Sequence, residues 1–259
     1  MDNYVPLTLP EMQKVELAML LELKKICDRH NLRFYIDGGT LLGAYCFRGF
    51  IPWDDDIDIK MPRPDYESLS NYRYELPEHM RLILPEEDQF SYTFTKIVDI
   101  RTVLIENPGT DKEHAGSVYI DILPMDGYIP KYLHKLERYK TLFHTSKSGF
   151  SDSLKGKIYS ILYHPQTVYL KMTKLAKRCQ YDTSEYVGLM IEGDTEKEKY
   201  RRATLDNPVQ MPFEGYLFPA SSDYEEHLVG FYGKHVLDYK DSGNLPQYPS
   251  GHTYEVFWR

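Results

Sequence analysis

The chain has 259 residues, is 42% hydrophobic and carries a formal net charge of −8. That size supports a real core in one large domain or two small ones, and sixteen Gly and sixteen Pro exclude a fibrous or wholly disordered chain. The acidic balance argues against a nucleic-acid binder, and Cys27, Cys46 and Cys179 lack zinc or disulfide-framework spacing, so the expectation is a soluble, cytoplasmic protein.

In chain order, "TLPEMQKVELAMLLELKKICDRHN" predicts a helix: Thr8 and Glu11 have capping-box spacing and apolar residues recur at Met12, Val15, Met19 and Ile26. "LRFYID" (32–37) predicts a strand that ends at Gly38-Gly39, and "TLLGAYCF" (40–47) a short helix directly after the glycines. "DIDIKM" (56–61) alternates with the period of a strand, and "RPDYESLSNYRYEL" follows as a helix with Pro64 in its first turn. "SYTFTKIVDI", "TVLIE" and "SVYIDILPM" are β-rich, with the turn "NPGTDKEHAG" between the last two.

The composition shifts from Pro130. Residues 131–178 hold eleven Lys/Arg against Glu137 and Asp152, a local balance of +9. Two helices fit "SLKGKIYSILY" and "QTVYLKMTKLAKRC", broken at the His-Pro pair 164–165. "MPFEGYLFPASSDYEEHLVGFYGKHV" gives a short strand, a helix and a Gly turn, and residues 240–259 read as polar and irregular. The basic stretch is either an ordinary solvated surface or a landing site for an anionic glycan precursor or an anionic membrane leaflet, with Tyr159, Tyr163 and Tyr169 between the lysines.

The stretch "GFIPWDDDIDIKMPRPDYE" (49–67) concentrates the chemistry. Most charge runs are solvated loops, but the alternation of Asp56 and Asp58 with Ile57 and Ile59 sets two carboxylates on one face of a strand whose other face is apolar. A divalent cation turns their repulsion into attraction. A calcium loop is the weaker reading, since Ile59 stands where the sharp turn needs Gly and Pro62 and Pro64 stiffen the chain. Gly38-Gly39-Thr40, between a strand and a helix, offers free N–H groups to a phosphate, although alone it is an ordinary turn. "VYIDIL" adds Asp121, a third carboxylate flanked by apolar residues.

"DGGTLLGAYCFRGFIPWDDDIDIKMPRPDYE", with "FTKIVD" and "IDILPMDG", resembles the signature of the LicD family of phosphotransferases, related to the fukutin-type enzymes. The likeness is close over residues 8–127 and looser beyond. It implies an α+β (mixed α/β) fold, with a nucleotidyltransferase-like mixed sheet flanked by helices and a mostly helical C-terminal part. The expected division is a catalytic core at 1–127 and a helical, basic acceptor-side region at 128–259.

The activity implied by the resemblance is transfer of phosphocholine or a related phospho-alcohol from CDP-choline or another CDP-alcohol to a sugar hydroxyl of a cell-surface glycan or lipid-linked glycan, such as a teichoic acid, lipopolysaccharide or capsule precursor. On that reading Asp56 and Asp58 hold Mg²⁺ (Mn²⁺ being the alternative) on the donor diphosphate, Asp54 completes the acidic face, and Asp121 is a further metal ligand or the base. Gly38, Gly39 and Thr40 cradle the diphosphate, Lys96 contacts phosphate and Trp53 stacks on the donor, while an exposed strand Lys and a loop anchor are the plainer roles for those last two. Cys46 stands where the family commonly has Arg, so either Arg48 substitutes for it from two positions on or the donor is held differently. Nucleotidyl transfer to a small molecule and non-enzymatic, metal-dependent glycan binding are the rival classes.

Overall fold

A computed structural model describes residues 4–87, 91–109, 114–147, 153–192, 196–245 and 254–259. Along the chain run β1 (Val5–Pro6), α1 (Leu9–His30), β2 (Tyr35–Ile36), α2 (Gly38–Phe47), β3 (Asp58–Pro62), α3 (Arg63–Leu69), β4 (Met80–Ile83), β5 (Thr95–Asp99), β6 (Thr102–Glu106), β7 (His114–Gly116) and β8 (Tyr119–Gly127). Then follow α4 (Pro130–Lys147), α5 (Leu154–Leu162), α6 (Pro165–Ala176), β9 (Tyr186–Gly188), β10 (Lys199–Arg201), α7 (Arg202–Asp206), β11 (Val209–Phe213), β12 (Tyr216–Ala220), α8 (Tyr224–Tyr232) and β13 (Tyr254–Trp258).

The fold is mixed α/β, as expected. Its main sheet runs in the order β10-β9-β8-β3-β2, with β5 on the other edge of β8 and β4 beyond it. β8 and β3 are parallel, which sets Asp58 opposite Asp121, while β5 runs antiparallel to β8 and sets Lys96 opposite Asp121. Three charged residues therefore converge on neighbouring strands. A second sheet, β1-β13-β6-β7, ties the two ends of the chain together.

α1 begins as its sequence dictates: Glu11 accepts from the Thr8 N–H at 2.8 Å and from its hydroxyl at 2.7 Å. Met19, Leu20 and Leu23 are fully buried in the main core, together with Ile57, Ile59 and Met61 from the acidic stretch. The alternation of that stretch is real, but the strand starts at Asp58 rather than at residue 56. Residues 51–57 form a loop held on α1, where the Gln13 amide donates to the Asp54 carbonyl at 3.0 Å and the Asp54 N–H closes a turn on Ile51 at 2.9 Å.

Beyond residue 128, α4 and α6 pack on each other around a smaller core of Leu136, Phe143, Val168 and Met172. Besides the short strand expected in the stretch from Met211, the structure adds strands here that periodicity does not reveal. β9 and β10 extend the main sheet, and β11 and β12 form a hairpin turned by Glu214 and Gly215, both at positive φ. Of the 240–259 stretch read as irregular, 246–253 lies outside the described residues and Tyr254–Trp258 is a strand. Residues 110–113 of the expected turn, and 148–152 of the basic stretch, also lie outside them.

Candidate active site

The Gly38-Gly39 pair earns its place by close approach. Gly38 has φ +55°, and a Cβ there would fall 2.9 Å from the Asp58 Oδ2; a Cβ on Gly39 would fall 2.8 Å from the Asp54 Oδ2. Two carboxylates thus lie against the first turn of α2, where the helix dipole favours negative charge. Thr40 is buried, and its hydroxyl accepts from the Asp58 N–H at 3.0 Å, locking the start of β3 to α2.

Asp55, Asp56 and Asp121 line one cavity of about 230 Å³ with Met12, Lys96, Glu106, Tyr92, Tyr119 and Tyr254. Lys96 is buried, its ammonium 3.1 Å from the Asp121 Oδ1. The same ammonium lies 3.2 Å from the centroid of Tyr119, 3.7 Å from that of Tyr92 and 5.6 Å from that of Phe94. It is a cation in an aromatic box, and not an exposed strand lysine.

The electrostatics are those of crowded like charges. Burial, then Asp56 and Asp121, raise the Asp58 carboxyl well above the usual range against the pull of Lys60. Burial, then Asp56 and Asp55, push Asp54 up to about 7. Asp121 is raised by burial against the pull of Lys96. Such clusters hold protons or bind cations.

Glu16 belongs with them, and the sequence reading missed it. It is fully buried on α1, neither carboxyl oxygen has a hydrogen-bond partner, and burial followed by Asp56, Asp55, Asp54 and Asp121 raises its proton affinity. The signal was a carboxylate at an apolar position of α1, one residue after Val15 and three before Met19. A second omission supports the helix start from behind. The buried Asp37 carboxylate accepts from the Gly38 N–H at 2.8 Å, pairs with Lys60 and takes the Tyr200 hydroxyl, with His227 Nε2 at 3.0 Å. Burial alone would raise Asp37, but Lys60 and His227 hold it well below the carboxylate range. Glu198 completes the cluster 3.0 Å from Lys60.

Two expected residues stand apart. Arg48 caps the far end of α2 with φ 57°, and its exposed side chain pairs with Asp241 at 2.8 Å. A ten-residue helix is about 15 Å long, so Arg48 is at the opposite end of α2 from Gly38 and Gly39. Trp53 packs against the main core with its ring edge-on to Phe47 at 6.3 Å, the role of a loop anchor. Cys46 is fully buried, and burial pushes its thiol up to about 11, which leaves it inert.

Among the described residues, no group of three or more His, Cys, Asp or Glu side chains is arranged to enclose a metal ion by itself. Mg²⁺ seldom requires such a cage, because it is commonly held by one or two carboxylates and the phosphates of its substrate. The all-oxygen donor set, its raised proton affinities and the unpartnered Glu16 oxygens fit a hard divalent cation.

The model of the family described as LicD/FKTN/FKRP, nucleotidyltransferase domain, matches residues 31–151. That span includes both glycines, the acidic stretch, Lys96 and Asp121. Over these residues the chain is similar to the LicD family. Similarity to one LicD protein extends further: the lipopolysaccharide cholinephosphotransferase LicD of Haemophilus influenzae is 29% identical over 247 residues, covering 89% of this chain and 92% of that protein. The uncharacterized protein RP689 of Rickettsia prowazekii is 24% identical over 180 residues, 63% of each chain. Glu16 and His227 lie outside the 31–151 match, yet Glu16 neighbours the acidic residues 54–56 and His227 pairs with Asp37.

Proposed function

We propose that the protein transfers phosphocholine from CDP-choline to a sugar hydroxyl of a lipopolysaccharide-type glycan and releases CMP, with Mg²⁺ as cofactor. The observation that carries this reading is the make-up of one cavity, which joins Asp55, Asp56 and Asp121 to the rings of Tyr92 and Tyr119 around an ammonium. The similarity to the Haemophilus cholinephosphotransferase supports the same assignment.

In this reading the acceptor oxygen attacks the phosphorus that bears choline, and the bond from that phosphorus to the bridging oxygen breaks, leaving that oxygen on CMP. Asp56 and Asp58 would hold the divalent cation beside Asp54, where it would neutralise charge on the diphosphate. Asp121, half-buried and with raised proton affinity, takes the hydroxyl proton. Lys96, freed from Asp121 once that proton is taken, turns to the phosphates. The N-terminus of α2, with Gly38 and Gly39, faces the same negative charge.

A quaternary ammonium donates no hydrogen bond, so its recognition rests on aromatic faces with carboxylates nearby. Tyr92 and Tyr119 supply the faces, and Glu106, which accepts from the Tyr119 hydroxyl at 3.0 Å, supplies charge. The test is a panel of CDP-choline, CDP-ethanolamine, CDP-glycerol and CDP-ribitol with Mg²⁺, read by CMP release with a glycan acceptor. Preferred turnover of CDP-choline is expected. A tenfold preference for a polyol donor overturns the choline assignment, and nucleotide left on the acceptor overturns the reaction.

A further inference from the structure

Helix α5 is built unlike the rest of the molecule. Leu154, Ile158, Ile161 and Leu162 are exposed to 78%, 49%, 76% and 54%, although a nine-residue helix gains little stability in water without a packed apolar face. At 3.6 residues per turn these four side chains fall within an arc of about 100°, the width of a buried stripe. Lys157 and Lys155 border the stripe on its two sides, while Gly156, on the opposite face, is buried against the protein. The apolar face therefore points away from the body of the protein.

Its surroundings say what covers it. From residue 153 to residue 181 the sequence holds Lys155, Lys157, Lys171, Lys174, Lys177 and Arg178 and no acidic residue, within a chain of net charge −8. Tyr159 and Tyr163 stack at 5.6 Å beside the stripe, with Lys155 5.7 Å from the first ring and Lys171 5.8 Å from the second. Apolar side chains between lysines whose stems can reach past them, next to paired tyrosines, match the interface of an anionic bilayer. No described helix is long and apolar enough to cross a membrane, so the contact is with a surface. We infer that α5 lies in the headgroup region of an anionic lipid leaflet, with its Leu154–Ile158–Ile161–Leu162 stripe inserted and Lys155, Lys157 and Lys171 on lipid phosphates.

Flotation of the full chain with vesicles tests this. The chain should float with mixed phosphatidylglycerol–phosphatidylcholine vesicles and stay behind with phosphatidylcholine alone. Ile158→Ser with Ile161→Ser, both at exposed positions, should weaken partitioning about tenfold or more without altering the circular dichroism spectrum. Lys155→Glu with Lys157→Glu should do the same and remove the sensitivity to salt. The inference is overturned if the parent ignores anionic vesicles, or if the Ile158/Ile161 variant floats as well as the parent. It is equally overturned if light scattering without lipid shows a parent dimer that this variant dissolves, because a second copy then covers the helix.

Discussion

Asp58 and Asp121 stand directly opposite each other on the parallel strands β3 and β8, and the Asp121 N–H donates to the Ile57 carbonyl at 2.9 Å. The pairing places two half-buried carboxylates on adjacent strands with one buried ammonium, Lys96, on the third. On the proposed reading, Asp58→Asn should keep the fold and lower turnover by roughly a hundredfold or more, because an oxygen that would hold the metal is lost. Asp121→Asn should lower it by roughly 10²–10⁴-fold while Mg²⁺-dependent donor binding, measured by calorimetry, persists. Loss of that binding in Asp121→Asn would make Asp121 a metal ligand and not the base.

The glycines give a steric test of the same site. Gly39→Ala places a methyl group 2.8 Å from the Asp54 carboxylate, which must swing away. Gly38→Ala adds backbone strain at φ +55°. Both variants should fold, with Gly38→Ala the less stable by about 1 kcal/mol, and both should lose activity. Thermal melts and CMP release measured on the same samples separate the two effects.

How much of this could be read in advance depended on how local the cause was. The capped α1, the glycine-started α2 and the alternating β3 are each specified within a dozen residues, and the two aspartate motifs were legible on that account. Arg48 was misplaced because its αL conformation turns the chain and its partner, Asp241, is 193 residues away. Glu16 was passed over because helical periodicity marks it as core, and only the approach of the 54–58 loop shows its electrostatic neighbours. β9, β10 and β13 are three to five residues long and owe their existence to pairing with distant strands. The aromatic box was invisible because Tyr92, Lys96 and Tyr119 meet only once β5 and β8 are in register.

Glu16→Met should stabilise the protein in chelator-treated buffer at pH 8. A buried carboxyl with no hydrogen-bond partner and four like-charged neighbours costs on the order of 1–3 kcal/mol, and Met restores apolar packing beside Met12 and Met19. For a chain of this size the melting temperature should rise by about 2–4 °C per kcal/mol. An unchanged or lower melting temperature would show that Glu16 has a stabilising partner in solution.

A second carboxyl sets a pH dependence. Burial pushes Glu192 from 4.5 up to about 7; Lys140 opposes the shift, and Asp121 and Glu198 add repulsion. The folded state holds this proton more tightly than the unfolded chain. Its contribution to stability is therefore complete below 4.5, falls as the pH rises towards 7 and is flat above. Glu192→Gln should remove that part of the decline, so that its melting temperature exceeds the parent's by several degrees at pH 8 and converges with it near pH 4. Parallel melting curves for the two proteins across that range would contradict the assignment.

In the proposed reaction Tyr119 would help to select the donor head group. Its ring lies 3.2 Å from the Lys96 ammonium, so the site already shows how it receives a cation, and the Glu106 contact fixes the ring's edge. Tyr119→Leu keeps apolar bulk but removes the π-face, which is worth roughly 1–2 kcal/mol to a desolvated ammonium. The KM for CDP-choline should then rise by roughly 5–30-fold with CMP affinity unchanged, since CMP carries no ammonium. Tyr119→Phe keeps the face and should stay within a few-fold of the parent. Lys96→Met separates placeholder from partner: if Lys96 only occupies the box, CDP-choline should bind more tightly, whereas a role on the diphosphate should weaken every CDP-linked donor alike. A Tyr119→Leu variant that binds all donors as the parent does would move the head group to another part of the cavity.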